Sequence, residues 1–212
     1  MQRVLFITED YPDGLNGTSV KTRNTLLFLL EQNYQVDLCC AYLGKIQNEI
    51  KAEHLSSFLI EKDLPPKFSF KKILRALKLI FSPQPLFVSR LFSLKLKLTT
   101  AKLVKQNNYR AIFYDGFSTL VYQAQTDAEQ IYIDDEDSTI LLLNRFRQTK
   151  FGVKKIKYGV DYLKSRFYEK KYLPLLDQVW AISPQTKQRL EDLTQASTSV
   201  MPTIIPIAQN MY

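Results

Sequence analysis

The feature that most constrains this chain is its opening: a short apolar run, a turn-rich loop, a helical period and a second apolar run. Residues Arg3–Thr8 are β-branched and apolar and read as a buried strand, and Glu9 to Gly17, with Pro12, Gly14, Asn16 and Gly17, reads as the loop that ends it. Thr18 or Ser19 is placed to cap a helix whose apolar face, Val20, Leu26, Leu27, Leu29 and Leu30, runs to about Gln32. Gln35–Tyr42 is the next strand. Two strands joined by a helix of about four turns form the crossover of a parallel sheet, because parallel neighbours cannot be linked by a tight turn.

The alternation continues. Residues 110–114 and 130–134 are apolar strands that run into acids, Asp115 and Asp134, with a helix-like segment at 116–126 between them. Residues 178–182 form another, and Ser183-Pro184 then supplies a cap and a first-turn proline for a helix to Leu193; 199–201 is a last strand. Leu94-Lys95-Leu96-Lys97-Leu98 fits strand or helix by pattern, and its continuation through Lys105 favours helix. These elements predict one domain over residues 1–212: a doubly wound, mostly parallel Rossmann-like α/β sheet of about six or seven strands, with functional residues on loops at the carboxyl ends of strands.

Composition removes several classes. The 45% hydrophobic and 24% charged residues suit an ordinary core. No apolar stretch is long enough for a membrane span, and the first residues lack the apolar segment and cleavage site of a signal peptide, so a cytoplasmic protein is expected. The two cysteines, Cys39 and Cys40, are adjacent in an apolar run, which leaves no disulfide framework or zinc site; they read as reduced filling of a strand. His54, the single histidine, lies in a polar, helix-like stretch and reads as a surface residue.

The net charge of +8 is concentrated in one place. Residues 64–114 hold eleven Lys or Arg and no Asp or Glu, leaving eighteen of the 29 basic residues against 21 acids elsewhere. That quarter of the chain is expected to meet an anionic surface. Within it, residues 68–81 form an amphipathic helix pattern, with Lys71, Arg75 and Lys78 opposite Phe70, Ile73, Leu74, Leu77 and Phe81. Such a helix binds the anionic face of a membrane, or packs its apolar side on the sheet and solvates its lysines. A second basic cluster runs from Arg145 to Lys171.

Two places can carry chemistry. In the loop Asp13-Gly14-Leu15-Asn16-Gly17-Thr18, glycines let a ligand approach the backbone, and the N–H groups of the helix start attract phosphate or carboxylate. The loop matches neither the dinucleotide fingerprint nor a P-loop, and a plain βα turn that needs glycine is the alternative. Arg23 either leans toward an anion there or is a surface charge. In Asp134-Asp135-Glu136-Asp137-Ser138, four carboxylates follow a strand at the ligand edge of the sheet, fit to serve a hydroxyl, a metal or a basic partner. Alternatively Asp137 or Ser138 caps the next helix and the others are solvated. Asp115 is a weaker candidate of the same kind.

The order of these motifs resembles the N-terminal, acceptor-side domain of GT4-like bacterial glycosyltransferases of the GT-B fold. The resemblance runs from the first strand and the Pro12, Gly14–Gly17 loop through Lys21-Thr22-Arg23-Asn24-Thr25 and Gln35-Val36-Asp37-Leu38 to Asp134-Asp135-Glu136-Asp137-Ser138 and Arg145. It continues with Glu169, Asp177-Gln178-Val179-Trp180-Ala181-Ile182-Ser183 and an exit strand at Thr203-Ile204-Ile205-Pro206. Asn16-Gly17 stands where the family often has Gly-Gly, and Asp134 or Asp135 stands where many relatives have histidine.

The resemblance implies a lipid-linked glycan acceptor, with Asp134 or Asp135 orienting or deprotonating its hydroxyl. Gly14, Asn16, Gly17, Arg23, Asp115, Asp137 and Ser138 would line the cleft, and Lys71, Arg75 and Lys78 would rest on the inner face of the membrane. It implies no cofactor or metal in this chain: the nucleotide-sugar would belong to a C-terminal domain absent from these residues, so the chain alone should not turn over. Two other classes stand beside it, a non-catalytic binding module of the same fold and a basic nucleic-acid binder. The latter is disfavoured because the 12 Tyr and 13 Phe do not interleave with Lys and Arg in a nucleic-acid motif.

Overall fold

A computed structural model describes residues 1–42, 46, 49–61, 82–134 and 138–201. Seven strands, β1 (Arg3–Thr8), β2 (Gln35–Tyr42), β3 (Leu55–Glu61), β4 (Ala111–Asp115), β5 (Glu129–Ile133), β6 (Gln178–Ala181) and β7 (Ser197–Val200), form one sheet in the order β3-β2-β1-β4-β5-β6-β7. Every pairing is parallel. The helices are α1 (Gly17–Glu31), α2 (Leu86–Leu91), α3 (Leu94–Gln106), α4 (Ser138–Gln148), α5 (Val153–Tyr172) and α6 (Pro184–Glu191). The doubly wound Rossmann-like α/β fold read from the sequence is the observed one.

Both faces of the central strands are covered, which is why they are continuous apolar runs. Successive residues of β1 alternate between two cores: Leu5 and Ile7 face one, Val4 and Phe6 the other. Cys39 and Cys40 in β2 divide the same way, and both are buried free thiols. One polar residue interrupts β2, Asp37, wholly buried. It is met by Arg3 Nη2 at 2.8 Å and by the Tyr109 hydroxyl at 2.5 Å, while Arg3 Nη1 donates to Asn107 Oδ1 at 2.7 Å. This network ties β1, β2 and the entry to β4 together at the amino edge of the sheet. Burial beside the Asp37 carboxylate raises the Tyr109 hydroxyl pKa well above that of an ordinary tyrosine.

Three sequence expectations need correction. The polar stretch around His54 is not helical: it leads into edge strand β3, and the His54 carbonyl accepts from Val36 N at 2.8 Å. Residues of β3 are only partly buried, so the strong apolar signal of the inner strands is missing there. The segment 116–126 holds no α-helix. After Gly116, at φ +90°, Phe117–Tyr122 make 3-10 turns that are buried throughout, with Thr119 Oγ1 donating back to Gly116 O at 2.7 Å. Finally, the cap of α1 is Asn16 rather than Thr18 or Ser19, its side chain accepting from Ser19 N at 2.9 Å. Helix α3 and the Ser183 cap of α6 are as read. The amphipathic pattern at 68–81 and the exit strand at Thr203–Pro206 lie outside the described residues.

Candidate functional site

From β1 the chain winds one way, to β2 and β3; from β4 it winds the other way, to β5, β6 and β7. The crevice beyond the carboxyl ends of β1 and β4 is therefore the switch point, where doubly wound sheets bind ligands. A cleft of about 300 Å³ opens there. Its lining is acidic and hydroxylated: Glu9, Asp10, Asp13 and Asp115 supply carboxylates, and Thr8, Thr18, Ser19 and Thr22 supply hydroxyls, with Tyr11 and Tyr42 beside them. Among the described residues no Lys or Arg lines it.

The loop after β1 is built from its own hydrogen bonds. Asp13 Oδ1 accepts from Leu15 N at 3.0 Å and from Ser19 Oγ at 2.7 Å, and Ser19 Oγ accepts from Gly14 N at 2.6 Å. The Ser19 hydroxyl, then the Leu15 N–H, holds the Asp13 carboxyl below its ordinary value. The N–H groups of Gly14, Leu15 and Ser19, candidate anion donors in the sequence, are thus occupied by Asp13, Asn16 and Ser19. Gly14 has φ +80°, and a Cβ there would lie 3.3 Å from Arg23 Cδ. Arg23 leans back to this turn, Nη1 donating to Asp13 O at 3.4 Å. Gly17, the first residue of α1, has open space where its Cβ would be.

Behind the cleft, Asp115 closes β4 and is only 4% exposed. The Thr22 hydroxyl donates to its Oδ2, and Lys21 Nζ lies 3.2 Å from its Oδ1. The same ammonium donates to the Asp134 carbonyl at 3.0 Å, so one lysine of α1 spans the ends of β4 and β5. The Asp134 carboxylate is 3% exposed, accepts from the Tyr132 hydroxyl at 2.8 Å and is not on the cleft lining. On the opposite lip, the Ser118 hydroxyl donates to Glu9.

The structure thus puts Asn16 and Asp115 on the cleft lining, holds Gly14 and Arg23 in the turn beside it, joins Asp134 to Asp115 through Lys21, and leaves Ser138 at the first turn of α4. Asp135, Asp137, Lys71, Arg75 and Lys78 lie outside the described residues. Sequence reasoning did not single out Glu9, Asp10, Lys21 or Thr22. One signal was available: Ser19, Thr22 and Thr25 recur every three residues on the buried side of α1, where a purely structural helix would carry apolar groups.

The comparisons with known proteins add little to this geometry. No family model matches the chain, and no curated protein matches it in sequence. Among solved structures, a sucrose-phosphate synthase from Thermosynechococcus elongatus is similar at 16% identity and a TM-score of 0.48, over 95% of this chain and 88% of that one. Among the described residues no cluster of His, Cys, Asp and Glu has metal-binding geometry, and no helix is long and apolar enough to cross a membrane.

Proposed function

We propose that the chain is the acceptor-side domain of a glycosyltransferase, and that the cleft between β1 and β4 holds the hydroxyl groups of a glycan acceptor. The observation that carries this is the lining: four carboxylates and four Ser or Thr hydroxyls, without a cation, at the switch point. Carboxylates accept paired hydrogen bonds from neighbouring sugar hydroxyls, whereas a phosphate would meet like charge. Asp115, aimed by Thr22 and Lys21, is the orienting residue in this reading. Because the Asp134 carboxylate is buried against Tyr132 and off the cleft lining, removal of the acceptor proton is given in this reading to Asp135, the next carboxylate in the sequence. The nucleotide-sugar is assigned to a second domain outside these residues. A lipid-linked acceptor would bring the basic residues 64–114 toward the cytoplasmic face of an anionic membrane.

Calorimetry and saturation-transfer NMR on the purified chain test the reading. A panel of water-soluble oligosaccharides should contain a binder, and Asp115→Asn, measured below a melting temperature that falls because the Lys21 ammonium is stranded, should weaken it by about tenfold, or about 1.4 kcal/mol. UDP- and GDP-sugars should show no micromolar binding to the chain alone. Micromolar nucleotide-sugar binding, or acceptor binding indifferent to Asp115→Asn, sinks the assignment.

A further inference from the structure

Helix α5 carries an apolar stripe on the side turned away from the core. Val153, Ile156, Val160, Leu163 and Phe167 recur at alternating intervals of three and four and are all exposed, Val153 to 84% and Phe167 to 70%; Phe151 just before the helix is wholly exposed. The buried side of the helix is Asp161, Ser165, Tyr168 and Glu169. Both acids of α5 therefore point inward: Asp161 accepts from Leu86 N at 3.0 Å, and Glu169 pairs with Arg189 at 2.8 Å. The outward surface holds cations alone. At 3.6 residues per turn, Lys157, Lys164 and Lys171 follow one flank of the stripe, and Arg166 and Lys170 follow the other.

The stripe also stands clear of the sheet. Tyr168 packs on Phe117 at 4.9 Å between ring centroids, and Phe117 lies just past the carboxyl end of β4. From Tyr168 the chain descends to β6, which starts at the amino edge, so the residues before Tyr168 run the other way. At 1.5 Å per residue, Val153 lies about 20 Å further along the axis than Tyr168. The α4–α5 hairpin thus projects from the edge that carries the cleft.

We propose that this face of α5 docks on an anionic lipid bilayer, the apolar stripe entering the boundary between headgroups and acyl chains while the flanking lysines reach lipid phosphates. Charge complementarity selects this occupant. A second copy would bring two all-cationic faces together. Nucleic acid would satisfy the cations and leave five apolar side chains in water. A partner helix would use the spacing as a coiled-coil seam, but the stripe covers about two heptads where three or four are needed. The inference rests on the functional reading above only in supposing that such a bilayer is at hand.

Sedimentation with phosphatidylcholine vesicles, with and without phosphatidylglycerol, is the test. The parent chain should bind the anionic vesicles and release them as NaCl is raised. Val160→Ser/Leu163→Ser/Phe167→Ser should abolish binding, and Lys157→Glu/Lys164→Glu/Lys171→Glu should weaken it on the order of a hundredfold. The apolar side chains, Lys157 and Lys171 are exposed and Lys164 is partly buried, and circular dichroism should show that both variants keep the helical fold. As a gain of signal, Leu163→Trp should shift to the blue on vesicles and be quenched by brominated lipid. The proposal is overturned if the parent ignores anionic vesicles at low salt, or if both α5 variants bind as the parent does. It is equally overturned if binding is lost only in Lys71→Glu/Arg75→Glu/Lys78→Glu, or if the stripe variant merely dissociates a dimer in sizing experiments. Binding of water-soluble acceptors is read without vesicles, so failure of the cleft assignment is separable from failure here.

Discussion

Lys21 is the residue on which the candidate site depends most. Its ammonium is mostly buried between the Asp115 carboxylate and the Asp134 carbonyl, with side-chain exposures of 11% for Lys21 and 3% for Asp115. Removing one partner of a buried pair strands the other charge, so Lys21→Met should cost roughly 3 kcal/mol in urea denaturation. The Lys21→Met/Asp115→Asn double variant should recover much of that loss; strict additivity of the two singles would show that the contact contributes nothing. Asp13 gives a pH signature. Its folded pKa is lowered from the ordinary 3.8, so its contribution is present above that value and fades as pH falls through the folded one. Exchange of the Leu15 amide should accelerate in that acid range in the parent, whereas Asp13→Asn should show fast exchange throughout.

At the scale of elements, Gly14 and Gly17 look alike in sequence and differ in structure. Gly14→Ala puts a side chain at φ +80° with Arg23 Cδ 3.3 Å away, and should cost about 1–2 kcal/mol by thermal melting. Gly17→Ala places a better helix former in open space and should be neutral or slightly stabilising. Equal effects would mean that the turn is not built as described. Inner strands were legible because two-sided burial writes itself into sequence as unbroken apolar runs, as in Val4-Leu5-Phe6-Ile7. Edge strand β3 was not legible, since Ser56, Ser57 and the half-buried Phe58 need satisfy only one neighbour and a partial cover. The buried 3-10 segment after β4 misled for the opposite reason: its apolar residues fill a gap between layers rather than one helical face.

For the whole molecule, the fold followed from local alternation, but the cleft did not, because it joins residues far apart in the chain. Thr22 meets Asp115 and Lys21 meets Asp134 only once strand order is known, and strand order is not written in any window of sequence. The two cysteines offer a test of whether the layers behave as one unit. Burial pushes the Cys39 thiol up to about 12, and Cys39 and Cys40 face opposite cores. Neither should react with a maleimide in the native protein, and under denaturant both should become reactive at one common rate. Separate rates would mean that one layer opens without the other.

The position of β1 has a consequence for synthesis. It pairs with β2 on one side and with β4 on the other, and β4 begins at Ala111. At 5–20 residues per second, a ribosome needs roughly 5–20 s to make the intervening hundred residues. During that time a nascent β1–α1–β2 unit has Val4, Phe6 and Ile7 beside an edge with no strand to pair, and the crevice has only one wall. Vectorial production of this chain therefore leaves one edge of its first strand open until the fourth strand arrives to close it.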